Sequence, residues 1–275
     1  MRTGKLKIKQ YKTRRSRRGF MILILLMILG ISVFYFYQRG DLSLPLPLPP
    51  APTLSPEEAQ ADERTLTLPG QSWFALQLGV FEQESSARDL ANAYHSRGAG
   101  GYIDARDHFR VLAAAYQSRA DAQAVQQQLR TLHQVDAYLF ELQIPEITLR
   151  LTGQKAQLTA LSDAYDALHQ AALHLSDLSQ SLDQRTAAQT DVRAALQSQK
   201  NTVISLEKRI RALFGESPHQ AVRPILSTLE ELSQALDRAL SAQTETRLGA
   251  EIKYCQLLCI VHLAEYSGKL SAGQF

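Results

Sequence analysis

WFALQLGVF at residues 73–81 and FRVLAAAY at residues 109–116 decide how this chain is read. Both alternate like strands, and each is followed by an amphipathic helical stripe. After the first come Ala87, Leu90, Ala91 and Tyr94; after the second come Ala122, Val125, Leu129 and Leu132. Gly98 stands where a helix C-cap belongs, and Ser118 with Asp121 has the spacing of a capping box. The two units superimpose at an offset of 35 residues, pairing Phe74 with Phe109, Leu76 with Val111, Phe81 with Tyr116 and Ala87 with Ala122. GYIDA (101–105) and DAYLFEL (136–142) supply a strand after each helix. The pattern predicts a pseudo-symmetric α+β domain: a four-stranded sheet with two helices on one face, built from Phe74, Leu76, Leu78 and Val80, and an open face opposite.

The flanks differ in character. The net charge of +3 hides a tail in which nine lysines and arginines precede residue 19 without an acid, leaving about −6 on the rest. Residues 20–37, FMILILLMILGISVFYFY, are 18 residues without a charge and predict a transmembrane helix. A signal peptide has a shorter apolar core and a small-residue cleavage site, whereas this run ends in four aromatics suited to the headgroup interface. The basic bias puts residues 1–19 in the cytoplasm and the chain beyond residue 37 outside. Residues 38–70, with six prolines between Pro45 and Pro56, read as an extended linker. From 150 to 275 the chain is rich in Ala, Gln and Leu at 3–4 spacing and predicts an all-α bundle of three or four antiparallel helices. A shift of phase near 183–189 leaves residues 154–214 as a hairpin or one long helix. Ser217-Pro218 has the N-cap and N1 pattern of a further helix, and 252–263 is apolar enough to be buried.

Catalytic patterns are absent: no nucleophile elbow, phosphate loop or metal-ligand spacing stands out, and Cys255 and Cys259 read as core residues. The expectation is a non-enzyme without metal or cofactor. The open sheet face is the place for chemistry. By alternation it carries Trp73, Ala75, Gln77 and Gly79, with Arg110 in register on the neighbouring repeat. An indole can stack on sugar C–H faces, a carboxamide can donate and accept to hydroxyls, and a guanidinium can meet a carboxylate. Gly79 permits close approach. From these residues alone, a carbohydrate surface and a solvated sheet face remain equal readings; a single-stranded RNA platform fits poorly with the topology.

Gln77, Gly79, Phe81, Arg110 and Val111 give the segment 71–142 a resemblance to the SPOR (sporulation-related repeat) family, whose first strand reads aromatic-x-Val-Gln-x-Gly-x-Phe and whose third reads aromatic-Arg-Val-x-x-Gly-Pro-Phe. Ala114-Ala115 departs from the family's Gly-Pro. The resemblance implies a βαββαβ domain with an antiparallel sheet, no catalysis, and binding of peptidoglycan glycan strands stripped of stem peptides, at sites of cell division or sporulation. It places the ligand on the open sheet, with Gln77 prominent and Tyr138 as the last-strand aromatic. Two functions fit: a membrane-anchored, septal peptidoglycan-binding protein, or a tethered scaffold whose bundle recruits a partner or self-associates while its sheet binds nothing.

Overall fold

The computed structural model describes residues 61–215 and 218–274; the basic tail, the expected transmembrane segment and the proline-rich run up to residue 60 lie outside them. In chain order the elements are β1 (Ala61–Leu68), β2 (Gln71–Phe81), α1 (Glu84–His95), β3 (Tyr102–Asp104), β4 (Phe109–Tyr116), α2 (Arg119–His133), β5 (Tyr138–Ile144), β6 (Ile147–Gln154), α3 (Lys155–Asp183), α4 (Gln189–Phe214), α5 (Arg223–Ser241) and α6 (Glu245–Ser271). No helix among the described residues is long and apolar enough to cross a membrane.

The repeat folds as its pattern requires. Strands β3-β4-β2-β5 form one antiparallel sheet, and α1 and α2 pack on one face of it. Ala87 and Ala91 of α1 meet Val111, while Val125 and Leu129 of α2 meet Leu76 and Ala113. Ser118 caps α2 by accepting the Asp121 amide, satisfying one of the helix's unpaired donors.

Alternation fails at one place on each central strand. The pairs Ala75–Ala115, Gln77–Leu112 and Gly79–Val111 show β4 using three steps where β2 uses two, then β2 using two where β4 uses one. These compensating irregularities behave as bulges, and each reverses which face the next residues meet. Gly79 therefore points toward α1, where an added Cβ would lie 2.9 Å from the Phe81 ring and 3.1 Å from Leu90. Val80, expected in the core, turns outward and is 44% exposed.

The opposite face is not open along its length. Its apolar residues Trp73, Ala75, Tyr102, Leu112, Leu142 and Ile144 merge into one core with the C-terminal bundle. The bundle has four helices. Residues 184–188 turn the chain, so 154–214 is a hairpin, and the shift of phase marks that turn. Its last helix, α6, is the shared element. One side packs in the bundle, where the Tyr165 hydroxyl and Ser267 lie 3.1 Å apart in the interior. The other side lies on the sheet: Gln256 donates to the Ala115 carbonyl at 2.9 Å, and the Tyr254 and Tyr102 rings sit 5.3 Å apart. A helix apolar around most of its circumference has to be covered on both sides. The 252–263 run satisfies that by being central.

Two boundaries differ from the sequence reading. Residues 61–68, expected within the linker, form β1 and pair antiparallel along the full length of β6. Leu66, Leu68, Ile147 and Leu149 turn to the core, giving this ribbon one apolar face. Pro218 does not start a helix; α5 begins at Arg223 with Pro224 in its first turn, where the missing N–H costs nothing.

Charges lock the sheet domain to α6. Glu251 is 1% exposed and receives Arg247 at 2.7 Å and Arg238 at 3.4 Å, with His95 Nε2 at 3.3 Å. Burial alone would raise this carboxyl. The hydrogen bond and attraction of His95, with the charges of Arg247 and Arg238, outweigh it and hold Glu251 below its ordinary value. Because the folded value lies below the unfolded one, the contribution is complete above the ordinary carboxylate range and is lost as pH falls through the folded value. Glu251→Gln should cost about 1–2 kcal/mol at neutral pH, a figure discounted for two half-exposed arginines. Urea unfolding of both proteins should show that gap closing on acidification; a gap independent of pH would contradict the assignment. Gly100 tests the same junction by shape, since an added Cβ would fall 2.9 Å from Leu257 and 3.0 Å from the Ala113 carbonyl. Gly100→Val should cost about 1–3 kcal/mol by overpacking, read as a lowered urea midpoint.

Candidate glycan-binding face

Helix α6 divides the expected ligand face into a covered half and a free end. Trp73 belongs to the covered half. It is fully buried, and its indole N–H has no hydrogen-bond partner. The sequence reading placed this ring on an open surface for stacking; it is instead a core residue. Gly79 is corrected as well, because the bulge turns it to the helix side. The signal that could have exposed the first error lies on β5, where Phe140, Leu142 and Ile144 share a parity and are all apolar. Three such residues in alternation mark a buried face.

The free end brings Gln77, Arg110 and Tyr138 together. Gln77 of β2 is flanked in register by Leu112 of β4 and Tyr138 of β5. Arg110 Nε donates to Gln77 Oε1 at 2.8 Å. A guanidinium only donates, so the amide oxygen must face it, and the amide nitrogen of Gln77 is left to donate elsewhere. The Arg110 guanidinium also lies over the Phe140 ring, 3.9 Å from its centroid. It thus bridges from β4 across β2 to β5, and the three strands present one rigid surface.

A buried carboxylate sets this arrangement. Asp104 pairs with Arg110 in register, and its side chain is inaccessible to solvent. It receives Arg106 through two hydrogen bonds, Nε at 2.8 Å and a terminal nitrogen at 2.7 Å, and holds Arg110 at 3.7 Å. One acid against two guanidiniums leaves the cluster with a net positive charge at the edge of the face. Asp104, Arg106 and Phe140 were not singled out from sequence. Aspartate on a strand of YIDA has no motif of its own, and its role depends on which strand becomes the neighbour.

Tyr138 supplies the apolar element. It is 63% exposed, and with Val80 it accounts for two of the three large hydrophobics exposed among the described residues. An offset of 35 residues would pair Tyr138 with Ile103, but the faces of β3 and β5 are displaced by one residue relative to it: Tyr102 and Tyr138 share the non-helical face. The surface therefore combines an exposed phenol ring, a free amide donor and a positively charged edge. It can stack on a sugar and donate to carbonyl or hydroxyl oxygens.

Elsewhere the chemistry is quiet. Among the described residues no cluster of acids, histidines and cysteines could hold a metal ion. Cys255 and Cys259 are buried, and burial pushes the Cys259 thiol up to about 12 and raises the Cys255 thiol well above its ordinary value, so neither is primed as a nucleophile.

The division of the face makes the tryptophan separable from Gln77, Arg110 and Tyr138. Trp73→Ala should lower stability by about 3–5 kcal/mol, the cost of emptying an aromatic core site. Asp104→Asn should cost about 1–3 kcal/mol and loosen both arginines. Thermal unfolding of the two variants checks this. A Trp73→Ala protein as stable as the parent would return the ring to the surface.

No curated protein and no solved structure matches this chain. A family model does: that of the SPOR domain, over residues 70–141, about a quarter of the sequence and the segment that contains the sheet with α1 and α2. Residues 70–141 of this chain are a SPOR domain.

Proposed function

We propose that this chain is a membrane-anchored, non-catalytic binder of peptidoglycan, which engages glycan strands through the free end of its SPOR sheet. SPOR domains generally bind peptidoglycan, and the observation that carries the reading to particular residues is the Gln77–Arg110–Tyr138 surface. Gln77 keeps an amide N–H₂ for the ligand because Arg110 occupies its oxygen. Tyr138 offers its ring to a pyranose, and the arginine pair favours an anionic or carbonyl-bearing sugar substituent. In this reading residues 20–37 anchor the chain, residues 1–19 stay in the cytoplasm and the domains act outside, at sites of cell division. In this reading the ligand is a glycan strand stripped of stem peptides.

A second reading rests on the burial of Trp73 and its neighbours under α6. If that cover leaves too little face to hold a strand, the chain is a tethered scaffold whose four-helix bundle recruits a protein partner. Pull-down of the full chain on amidase-treated and untreated sacculi separates the two. The glycan reading expects more retention on treated sacculi and a drop of about fivefold or more for Gln77→Ala and Tyr138→Ala, with unchanged unfolding midpoints; a change of that size corresponds to roughly 1 kcal/mol. Equal or absent retention on both preparations would leave the scaffold reading.

A further inference from the structure

We infer a second ligand site, for a small anionic amphiphile, on the helix side of the sheet and away from the glycan face. Between α1 and α2 lies a cavity of about 340 Å³ whose walls include Leu76, Leu78, Ala113, Val125, Leu129 and Val135. Within it, the sheet and the two helices do not close on one another. A volume of that size equals about eleven water molecules at liquid density, room for a hydrocarbon chain on the order of ten carbons. The lining is mainly apolar, with Tyr94, Tyr116 and His133 also on it, so hydrocarbon fills it more favourably than water does.

The cavity does not end in an apolar wall. It shares Arg97, Gly98, Asp183 and Lys253 with a second cavity of about 370 Å³, which continues between the α3–α4 turn and the start of α6. Arg97 and Arg185 both line this second cavity, as does Glu245, whose carboxylate accepts from Gln189 at 3.0 Å. Lys253 is spent internally, donating to Asp183 at 2.9 Å and to the Gly98 carbonyl at 3.2 Å. Arg97 and Arg185 have no ion pair among the described residues; Arg97 lies over the Tyr94 ring, 5.4 Å from its centroid. Arg185 is held there by a left-handed backbone, φ 56°, in the turn that reverses the chain between α3 and α4. A guanidinium pair beside an apolar chamber matches one ligand chemistry: a hydrocarbon chain ending in a carboxylate or phosphate. A neutral chain fills the chamber and leaves the arginines unused.

The test is photolabelling of the full chain with diazirine-bearing dodecanoic acid, the matching dodecanol, and a diazirine-bearing phosphatidylglycerol, then peptide mapping. The acid should label peptides carrying Leu76, Val125 or Leu129. Arg97→Ala/Arg185→Ala should cut that labelling at least fivefold at an unchanged unfolding midpoint, and dodecanol should label weakly in both proteins. Arginine-dependent labelling by phosphatidylglycerol as well identifies a lipid headgroup as the anion; labelling by the acid alone identifies a free acid. Acid and alcohol labelling equally, labelling indifferent to the arginines, or labelling confined to other peptides would overturn the assignment.

Discussion

The contact between helix α6 and the SPOR sheet governs the rest of the structure. A four-stranded sheet covered on one side by two alanine-rich helices has little apolar mass there: Ala87, Ala91, Ala113, Ala122 and Ala137 make much of that layer. The larger residues, Trp73, Tyr102, Leu112, Leu142 and Ile144, face the other way and need a cover of their own. Helix α6 provides it, and in turn finds on the sheet a partner for the side it does not give to the bundle. Each half completes the other's core, so the described residues form one compact unit. Hydrophobic area drives this packing, while Glu251, Gln256 and Lys253 fix its register through directed bonds to α1, to the sheet and to the loop between α1 and β3.

That packing also defines where a ligand can go. By covering the Trp73 half, α6 concentrates the accessible chemistry at the end where Gln77, Arg110 and Tyr138 meet. The exposed end is rigid for an electrostatic reason. Asp104 is removed from solvent and satisfied by two guanidiniums, and Arg110 passes that constraint on to Gln77 and Phe140. Buried networks of this kind are costly when a member is lost and orienting when complete. A surface held this way would spend little conformational entropy on a ligand.

Much of this fold was legible in the residues. The repeat at 35-residue spacing located both strand–helix units, the Ser118 cap and the sheet with its two helices, and the phase shift near residue 183 marked the hairpin. Strict alternation misled where bulges intervene: Gly79 and Val80 exchanged faces because β2 carries an extra residue between Gln77 and Gly79, which no periodicity count detects. Trp73 misled for another reason. A lone indole on the minority face reads as a ligand platform until the whole parity is counted across strands, and the apolar series on β5 outvotes it. The ribbon of β1 and β6 was hidden by its neighbour in sequence, since a proline-rich run made TLTL look like more linker although it alternates as a strand should. At the site, Gln77 and Arg110 were visible as residues and Tyr138 through the resemblance. Asp104 was not, because a buried aspartate acquires meaning only from tertiary partners.

The chain contains a single tryptophan, Trp73, and that residue sits where the sheet meets the bundle. Acrylamide quenching of its fluorescence in the full chain therefore reads the central contact without a label. Strong protection from quencher, a blue-shifted emission and no change on adding amidase-treated glycan are what a permanently packed α6 predicts. A readily quenched tryptophan, or one that glycan alone protects, would contradict it.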